Sequence, residues 1–116
     1  MLKVAKEKDR YLVSLFQVNK LNTLFSELIS QQLNDLVKTP GRTVVFNLEN
    51  VRFIDSAGFG VLLRANEISR AIGSEFYLAN ITSEVKELID LTGLNDTLSV
   101  IENLEVKEKI VMELED

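Results

Sequence analysis

The 116-residue sequence has no cysteine, no histidine and no tryptophan, and it has one proline and five glycines. Without cysteine there are no disulfides, thiol nucleophiles or thiolate metal sites. Without histidine the chain lacks the side chain most often used as a general base near neutral pH, as a metal ligand and as the partner of a catalytic serine. We therefore expect no catalysed reaction and no cofactor.

Long apolar runs and a basic face are also missing. The apolar runs are short, as at residues 76–79, whereas a membrane-spanning helix needs about 20 apolar residues. The first ten residues are charged from Lys3 onward and contain no signal-peptide stretch. The 13 basic residues are dispersed among 18 acidic ones, giving a net charge of −5. We expect a cytoplasmic protein with neither nucleic acid nor membrane as a direct partner.

What is present is enough apolar sequence, 46%, for one core, so we expect a single domain over residues 1–116. Apolar periodicity and turn residues predict each element in turn. The first half of the chain is predicted to form paired opening strands that turn near Lys8 and Asp9, a helix from Asn22 with Leu24 on its apolar face, and a buried strand over 43–48. A helix that ends near Gly73 and a strand over 75–79 follow. The last third is predicted to form a helix opened by Thr82 or Ser83 with Leu91 inward, a short strand over 98–101 and a helix over 104–114.

This order of elements indicates the fold class. Strands that alternate with helices form mainly parallel sheets covered by helices. The sequence therefore predicts an α/β domain with a central sheet of about four to five strands and four helices.

Residues 53–62 carry the most information about function. A strand leads through Asp55 into a helix, and Ser56 falls in the first turn, where free backbone N–H groups and the helix dipole suit a phosphate. Gly58 and Gly60 have no side chains, so a partner or a neighbouring strand can approach the backbone of this turn closely. Asp and Ser are also favoured N-cap residues, so simple capping is the alternative interpretation of this pair.

Two other groups of side chains have competing interpretations. Phe59, at the start of the same helix, is either an exposed binding anchor or part of the core. The acidic residues of the last third of the chain resemble metal ligands in type, but a solvated helix face explains them better, because a hard-metal site needs several converging oxygens. We assign no metal site.

Residues 53–62, Phe-Ile-Asp-Ser-Ala-Gly-Phe-Gly-Val-Leu, resemble the signature of STAS domains, named for sulfate transporters and anti-sigma-factor antagonists. The resemblance extends to the strand at 44–49 and to the Leu-Thr-Gly-Leu turn at 91–94. The chain length is similar to that of the free-standing antagonists. The resemblance implies a single-domain STAS-like fold and the function of an anti-sigma factor antagonist.

The resemblance also implies roles for individual residues. Ser56 would be phosphorylated by a serine kinase that is also the anti-sigma factor, and a PP2C-type phosphatase would remove the phosphate. The unphosphorylated form would bind the kinase and free the sigma factor. Asp55 would help to position Ser56, and Gly58 would give the kinase room. Ala57 stands where many members have a second hydroxyl, which leaves Ser56 as the acceptor in this turn.

The partner-binding surface implied by the resemblance contains Asp55, Ala57, Gly58, Phe59 and Asn22. The family usually has a Gly-x-Leu-Asp segment before the first helix. Here the corresponding residues 18–22 contain no glycine, and Asn22 replaces the aspartate. This departure favours an alternative function, a constitutive scaffold or subunit of a transport or sensory assembly in which Ser56 is only part of a helix cap.

Overall fold

The computed structural model describes residues 2–8 and 10–101, together with the backbone of residues 111–114. The strands are β1 (Leu2–Glu7), β2 (Arg10–Leu15), β3 (Lys20–Leu21), β4 (Thr43–Asn47), β5 (Phe53–Ile54), β6 (Glu75–Ala79), β7 (Val100–Ile101) and β8 (Val111–Leu114). The helices are α1 (Thr23–Val37), α2 (Ser56–Ile72) and α3 (Ser83–Thr92). None of the helices in these ranges is long and apolar enough to cross a membrane.

The main sheet has six strands in the order β7-β6-β4-β2-β1-β8. Strands β2, β4, β6 and β7 are parallel, while β1 is antiparallel to both β2 and β8. The opening hairpin turns at Lys8, whose φ of 55° lies in the left-handed region. The predicted α/β fold with a mainly parallel sheet is confirmed.

Strand β4 lies at the centre of this sheet and is buried on both faces. Val44 and Phe46 belong to the large core beneath the helices, and Val45 belongs to a smaller cluster on the opposite face. All three side chains are fully buried. Burial on both faces explains why three consecutive residues, 44–46, are apolar where a half-exposed strand would alternate.

Each helix begins at a side-chain cap that the sequence predicts. Asn22, Asp55 and Thr82 are the N-caps of α1, α2 and α3, and each side chain accepts a hydrogen bond from a backbone N–H of the first turn. Helices α2 and α3 end at Gly73 and Gly93, whose φ values of 85° and 73° are left-handed. Because these ends depend on local chemistry, their positions follow from sequence.

The helix predicted over 104–114 is wrong at its end. Val111–Leu114 is strand β8, with Val111 opposite Ala5 and Leu114 opposite Leu2. Residues 104–110 lie outside the described residues. Strand β8 supplies backbone hydrogen-bond partners to the otherwise open edge of β1. The apolar periodicity within residues 104–114 carries no information about these long-range hydrogen bonds. The sheet therefore has six strands, and the described residues contain three helices where four are predicted for the whole chain.

Two predicted core positions are also wrong. Leu24 and Leu91 fit the apolar periodicity of their helices, but their exposed fractions are 78% and 77%. Leu24 lies in the first turn of α1 and Leu91 in the last turn of α3. Periodicity continues to the end of a helix, whereas the core that the helix packs against does not.

Candidate functional site

The candidate site lies where α1 and α2 begin side by side. Strands β3 and β5, of two residues each, form a separate parallel sheet in which Lys20 is opposite Phe53 and Leu21 is opposite Ile54. Strand β3 leads to α1 through one residue, and β5 leads to α2 through one residue. Because the two strands are parallel and in register, their pairing brings the two helix N-termini together.

Asp55 connects these two N-termini. Its Oδ1 accepts a hydrogen bond from the Gly58 N–H at 2.8 Å. Its Oδ2 accepts hydrogen bonds from both the N–H and the hydroxyl of Thr23, each at 3.0 Å. The carboxylate thus caps its own helix and also binds the first residue of α1, at the positive ends of two helix dipoles.

These hydrogen bonds lower the pKa of Asp55 below its ordinary value of 3.8. The Gly58 N–H is the largest cause, desolvation acts in the opposite direction, and the Thr23 N–H and hydroxyl lower the pKa further. A carboxylate that accepts several N–H bonds is stabilised in its charged form. Asp55 is therefore an anion at neutral pH and already occupies the N–H groups at this position.

Ser56 follows directly as the first residue of α2 and is exposed. Among the described residues, no hydrogen bond to its hydroxyl is found, whereas Asp55 alone provides the side-chain cap. The simple capping interpretation therefore fits Asp55 and does not extend to Ser56. The hydroxyl lies at a helix start on the exposed surface of the domain.

The packing of the fold itself requires a glycine at position 58. A Cβ at this position would lie 2.1 Å from the carbonyl oxygen of Leu21 and 2.8 Å from Cγ2 of Ile54. Real Cβ atoms do not approach other atoms so closely, so the end of β3 occupies the space that a side chain would need. Of the two approaches considered from sequence, the neighbouring strand is the one observed. Gly60 differs, because a Cβ there would meet nothing within 4 Å.

The other sequence-predicted site residues lie around this centre with different exposures. Phe59 is 7% exposed and belongs to the main core, so the core interpretation is confirmed and its side chain is not an exposed anchor. Asn22 and Ala57 are half-buried, and the Asn22 side chain accepts the N–H of Leu24 at 3.2 Å. Asn22, Asp55 and Ala57 thus share one surface with Ser56.

A shallow groove of about 420 Å³ lies at the surface between α1 and α2, beside this site. The lining residues come from both helices and are Ala57, Gly60 and Val61 of α2 and Ser26, Glu27, Ser30 and Gln31 of α1. The groove is a surface that suits a protein segment better than a buried small molecule, which normally occupies an enclosed cavity.

Two exposed apolar side chains near the site were missed by the sequence analysis. Leu24 follows Thr23, which binds Asp55, and Phe53 lies two residues before Asp55 with an exposed fraction of 45%. Exposed apolar side chains beside a polar site are typical of protein-binding surfaces. No signal in the sequence separates them from core residues, because Leu24 fits the apolar periodicity of α1 and Phe53 lies in a two-residue strand that shows no periodicity.

The loop before β5 is tied to the start of α3. The Thr82 hydroxyl donates a hydrogen bond to the carbonyl oxygen of Val51 at 2.8 Å, and Arg52 forms an ion pair with Glu84 at 2.9 Å. The described residues contain no group of three or more acidic side chains arranged to hold a metal ion. The site is therefore a protein surface at the starts of α1 and α2, with polar groups at its centre and two exposed apolar side chains beside them.

Comparison with known proteins agrees with this fold. The mixed sheet with helices over one face and an Asp-Ser turn at the second helix define a STAS-type domain. The STAS domain family model matches residues 4–107. The chain belongs to the STAS domain family.

Among the relatives of this chain are proteins named as anti-sigma factor antagonists. The anti-sigma F factor antagonist of Paenibacillus polymyxa is 23% identical over 103 residues, 88% of each chain. The anti-sigma-B factor antagonist of Staphylococcus aureus is 32% identical over 66 residues, which cover 57% of this chain and 61% of that protein.

Solved structures share the fold. An anti-sigma-factor antagonist (STAS) domain protein from Planctomyces limnophilus has a TM-score of 0.80 at 18% identity, covering 90% of this chain and 91% of that chain. A sulfate transporter family protein from Wolinella succinogenes has a TM-score of 0.69 at 14% identity, covering 81% and 77%. At these identities the likeness concerns the fold alone.

Proposed function

We propose that this protein is an anti-sigma factor antagonist that works as a protein-binding switch and catalyses no reaction. The surface formed by Asn22, Asp55, Ser56 and Ala57 binds an anti-sigma factor that is also a serine kinase. The observation that carries this proposal is the exposed Ser56 at the start of α2, beside a carboxylate that performs the capping. The names of the two relatives support the same role. The protein acts in the cytoplasm.

Phosphorylation of Ser56 switches the surface by charge. A phosphoserine carries about −1.5 to −2 charges. Asp55 already uses the N–H groups of Gly58 and Thr23, so a phosphate at Ser56 is added next to an anion and gains little from them. Docking of a partner over this pair of anions requires their desolvation. A cost of about 3 kcal/mol weakens binding more than 100-fold. A PP2C-type phosphatase restores the binding form.

The experiment is intact-protein mass spectrometry on the chain purified from its native host, compared with Ser56→Ala and with Ser83→Ala. Ser83 is the matched control, because it is the exposed first residue of α3 just as Ser56 is of α2. We expect a species heavier by one phosphoryl group in the wild type and in Ser83→Ala, and its loss in Ser56→Ala. Absence of any phosphorylated form in every growth phase, with phosphatases inhibited, would overturn the switch.

A second candidate is a constitutive scaffold or subunit of a transport or sensory assembly. The observation that favours it is that Asp55 and Gly58 both have complete structural roles without any modification. The shared fold of a sulfate transporter family protein is consistent with it. The two candidates differ in a pull-down from the native host: the scaffold retains the same partners in the wild type, Ser56→Ala and Ser56→Asp, whereas the switch loses its kinase partner in Ser56→Asp.

A further inference from the structure

A cationic pocket lies at the other end of the sheet, near the start of β4 and the turn of the opening hairpin. It has a volume of about 290 Å³. Three of its lining side chains are cations, Lys6, Lys8 and Arg42, and Tyr11 forms its apolar wall. Among the residues that the structure describes, this lining includes no acidic side chain, although the whole chain carries a net charge of −5. Positively charged side chains therefore cluster at this pocket, although the net charge of the whole chain is negative.

Tyr11 holds two of the cations close to each other. The guanidinium carbon of Arg42 lies 4.3 Å from the centre of the Tyr11 ring, and the Lys6 ammonium lies 5.6 Å from the same centre. The two charges are thus within about 10 Å of each other, which is no more than the Debye length at moderate salt. Like charges at this distance repel, and a bound anion would relieve the repulsion.

Arg42 is also fixed in orientation. One of its η nitrogens donates a hydrogen bond to the carbonyl oxygen of Leu36 at 3.0 Å, in the last turn of α1. The stacked ring and this hydrogen bond hold the planar guanidinium in place, so less conformational entropy is lost when it binds an oxyanion. The pocket thus combines one immobilised guanidinium with two flexible ammonium groups.

Two described carboxylates on the adjoining elements β1 and α1 are paired with other cations. Glu7 lies between Lys6 and Lys8 in sequence, but strand alternation places it on the opposite face, where it approaches Arg10 at 3.7 Å. Asp35 forms an ion pair with Lys38 at 3.2 Å. Neither of these acids lines the pocket.

We propose that this pocket binds a small multivalent oxyanion of the phosphate class through Lys6, Lys8, Arg42 and the hydroxyl of Thr39. Thr39 lines the pocket together with the cations and can donate to a phosphate oxygen. The volume suits one or two phosphoryl groups, and the Tyr11 ring is covered by cations and so does not stack on a base. This site is separate from Ser56 and does not depend on the proposed antagonist function.

The test is titration of ¹⁵N-labelled protein with inorganic pyrophosphate at constant ionic strength, followed by amide chemical shifts, with inorganic phosphate as a second probe. The test variant is Lys6→Gln with Lys8→Gln, both exposed. The control variant is Lys20→Gln with Lys86→Gln, which removes the same charge from two exposed lysines outside the pocket. Arg42→Lys is a third variant that keeps the charge but loses the planar fork.

We expect saturable shifts at the amides of residues 6–8, Thr39, Gly41 and Arg42, tighter binding of pyrophosphate than of phosphate, and at least about tenfold weaker binding in the Lys6/Lys8 variant. Arg42→Lys also weakens binding, and the control variant changes it less than about twofold. The proposal is overturned if shifts do not saturate up to about 10 mM. Equal losses in the two double variants, or shifts confined to the starts of α1 and α2, would overturn it as well.

Discussion

Gly58 and Gly60 lie in the first turns of α2, yet their surroundings differ. A Cβ at Gly58 would collide with the backbone of Leu21, and a Cβ at Gly60 would point into open space. Loss of glycine therefore has opposite consequences at the two positions. Gly58 allows α2 to pack closely against β3, and Gly60 leaves the helix near Ser56 without a side chain at that position.

We predict that Gly58→Ala lowers the free energy of unfolding by about 1–3 kcal/mol, because backbone atoms must shift to accept the methyl group. Gly60→Ala is the matched control and raises it by about 0.5–1 kcal/mol through helix propensity. Urea unfolding of the two variants checks both values. Equal effects of the two substitutions would contradict the close contact between α2 and β3.

Asp55 gives a second prediction at this scale, because its folded-state pKa is lowered below 3.8. A lowered folded pKa means that the carboxylate stabilises the fold above its unfolded pKa, and that this stabilisation is lost as pH falls through the folded pKa. We expect Asp55→Asn to be less stable than wild type at pH 7, with the difference shrinking below pH 3.8.

The measurement is urea unfolding of wild type and Asp55→Asn in steps from pH 7 to pH 3. Asp35→Asn is the control, because Asp35 is an exposed acid paired with Lys38 on the surface and its pair contributes little to stability. A pH-independent difference between wild type and Asp55→Asn would show that shape, and not charge, accounts for the role of Asp55.

Among the elements, the two-residue strands β3 and β5 have the largest effect on the site. Their pairing brings the N-termini of α1 and α2 together, so that Asp55 reaches Thr23, which is 32 positions away in sequence. Residues 20–21 and 53–54 are too short for any periodicity to appear. The sequence predicts each helix start separately, and the contact between the two starts comes from the fold.

Helix α3 offers a test of capping at the scale of an element. The Thr82 hydroxyl accepts the Val85 N–H at 3.3 Å and donates to Val51 O at 2.8 Å. We predict that Thr82→Ala lowers the free energy of unfolding by about 1–2 kcal/mol, since a cap and a hydrogen bond to the preceding loop are lost together.

Ser83→Ala is the control at the next position, with an expected change within about 0.5 kcal/mol. Both variants are compared by thermal and urea unfolding. If Thr82→Ala unfolds like the control, the loop before β5 does not depend on α3 for its position.

At the scale of the whole molecule, the central sheet and the helices above it share one core. Leu62 of α2 is fully buried in that core, whereas Leu91 of α3 is exposed despite fitting the same apolar periodicity. A small single domain normally unfolds as one unit, so a cavity beneath α2 lowers the stability of the entire fold.

We predict that Leu62→Ala lowers the free energy of unfolding by about 2–5 kcal/mol. Leu91→Ala is the matched control, with an expected change within about 0.5 kcal/mol, because the side chain is already in water. Urea unfolding followed by circular dichroism measures both. A large loss in Leu91→Ala would mean that this leucine is covered in solution.

Local chemistry in the sequence determined most of the elements and their ends. The caps Asn22, Asp55 and Thr82, the glycine ends at Gly73 and Gly93, and the doubly buried strand around Val45 all follow from neighbouring residues. The placement of Ser56 at a helix start follows in the same way. Such features depend on hydrogen bonds and apolar spacing within a few residues, which are visible in the sequence.

The tertiary structure decided the features that join distant segments. It placed Asp55 between two helices, filled the space at Gly58 with the end of β3, buried Phe59 and left Leu24 exposed. It also made Val111–Leu114 a strand beside β1 where periodicity predicts a helix. Long-range strand pairing and side-chain burial depend on which segments meet in the fold. The free energy gained from these contacts arises in the assembled core and is not a property of any one segment.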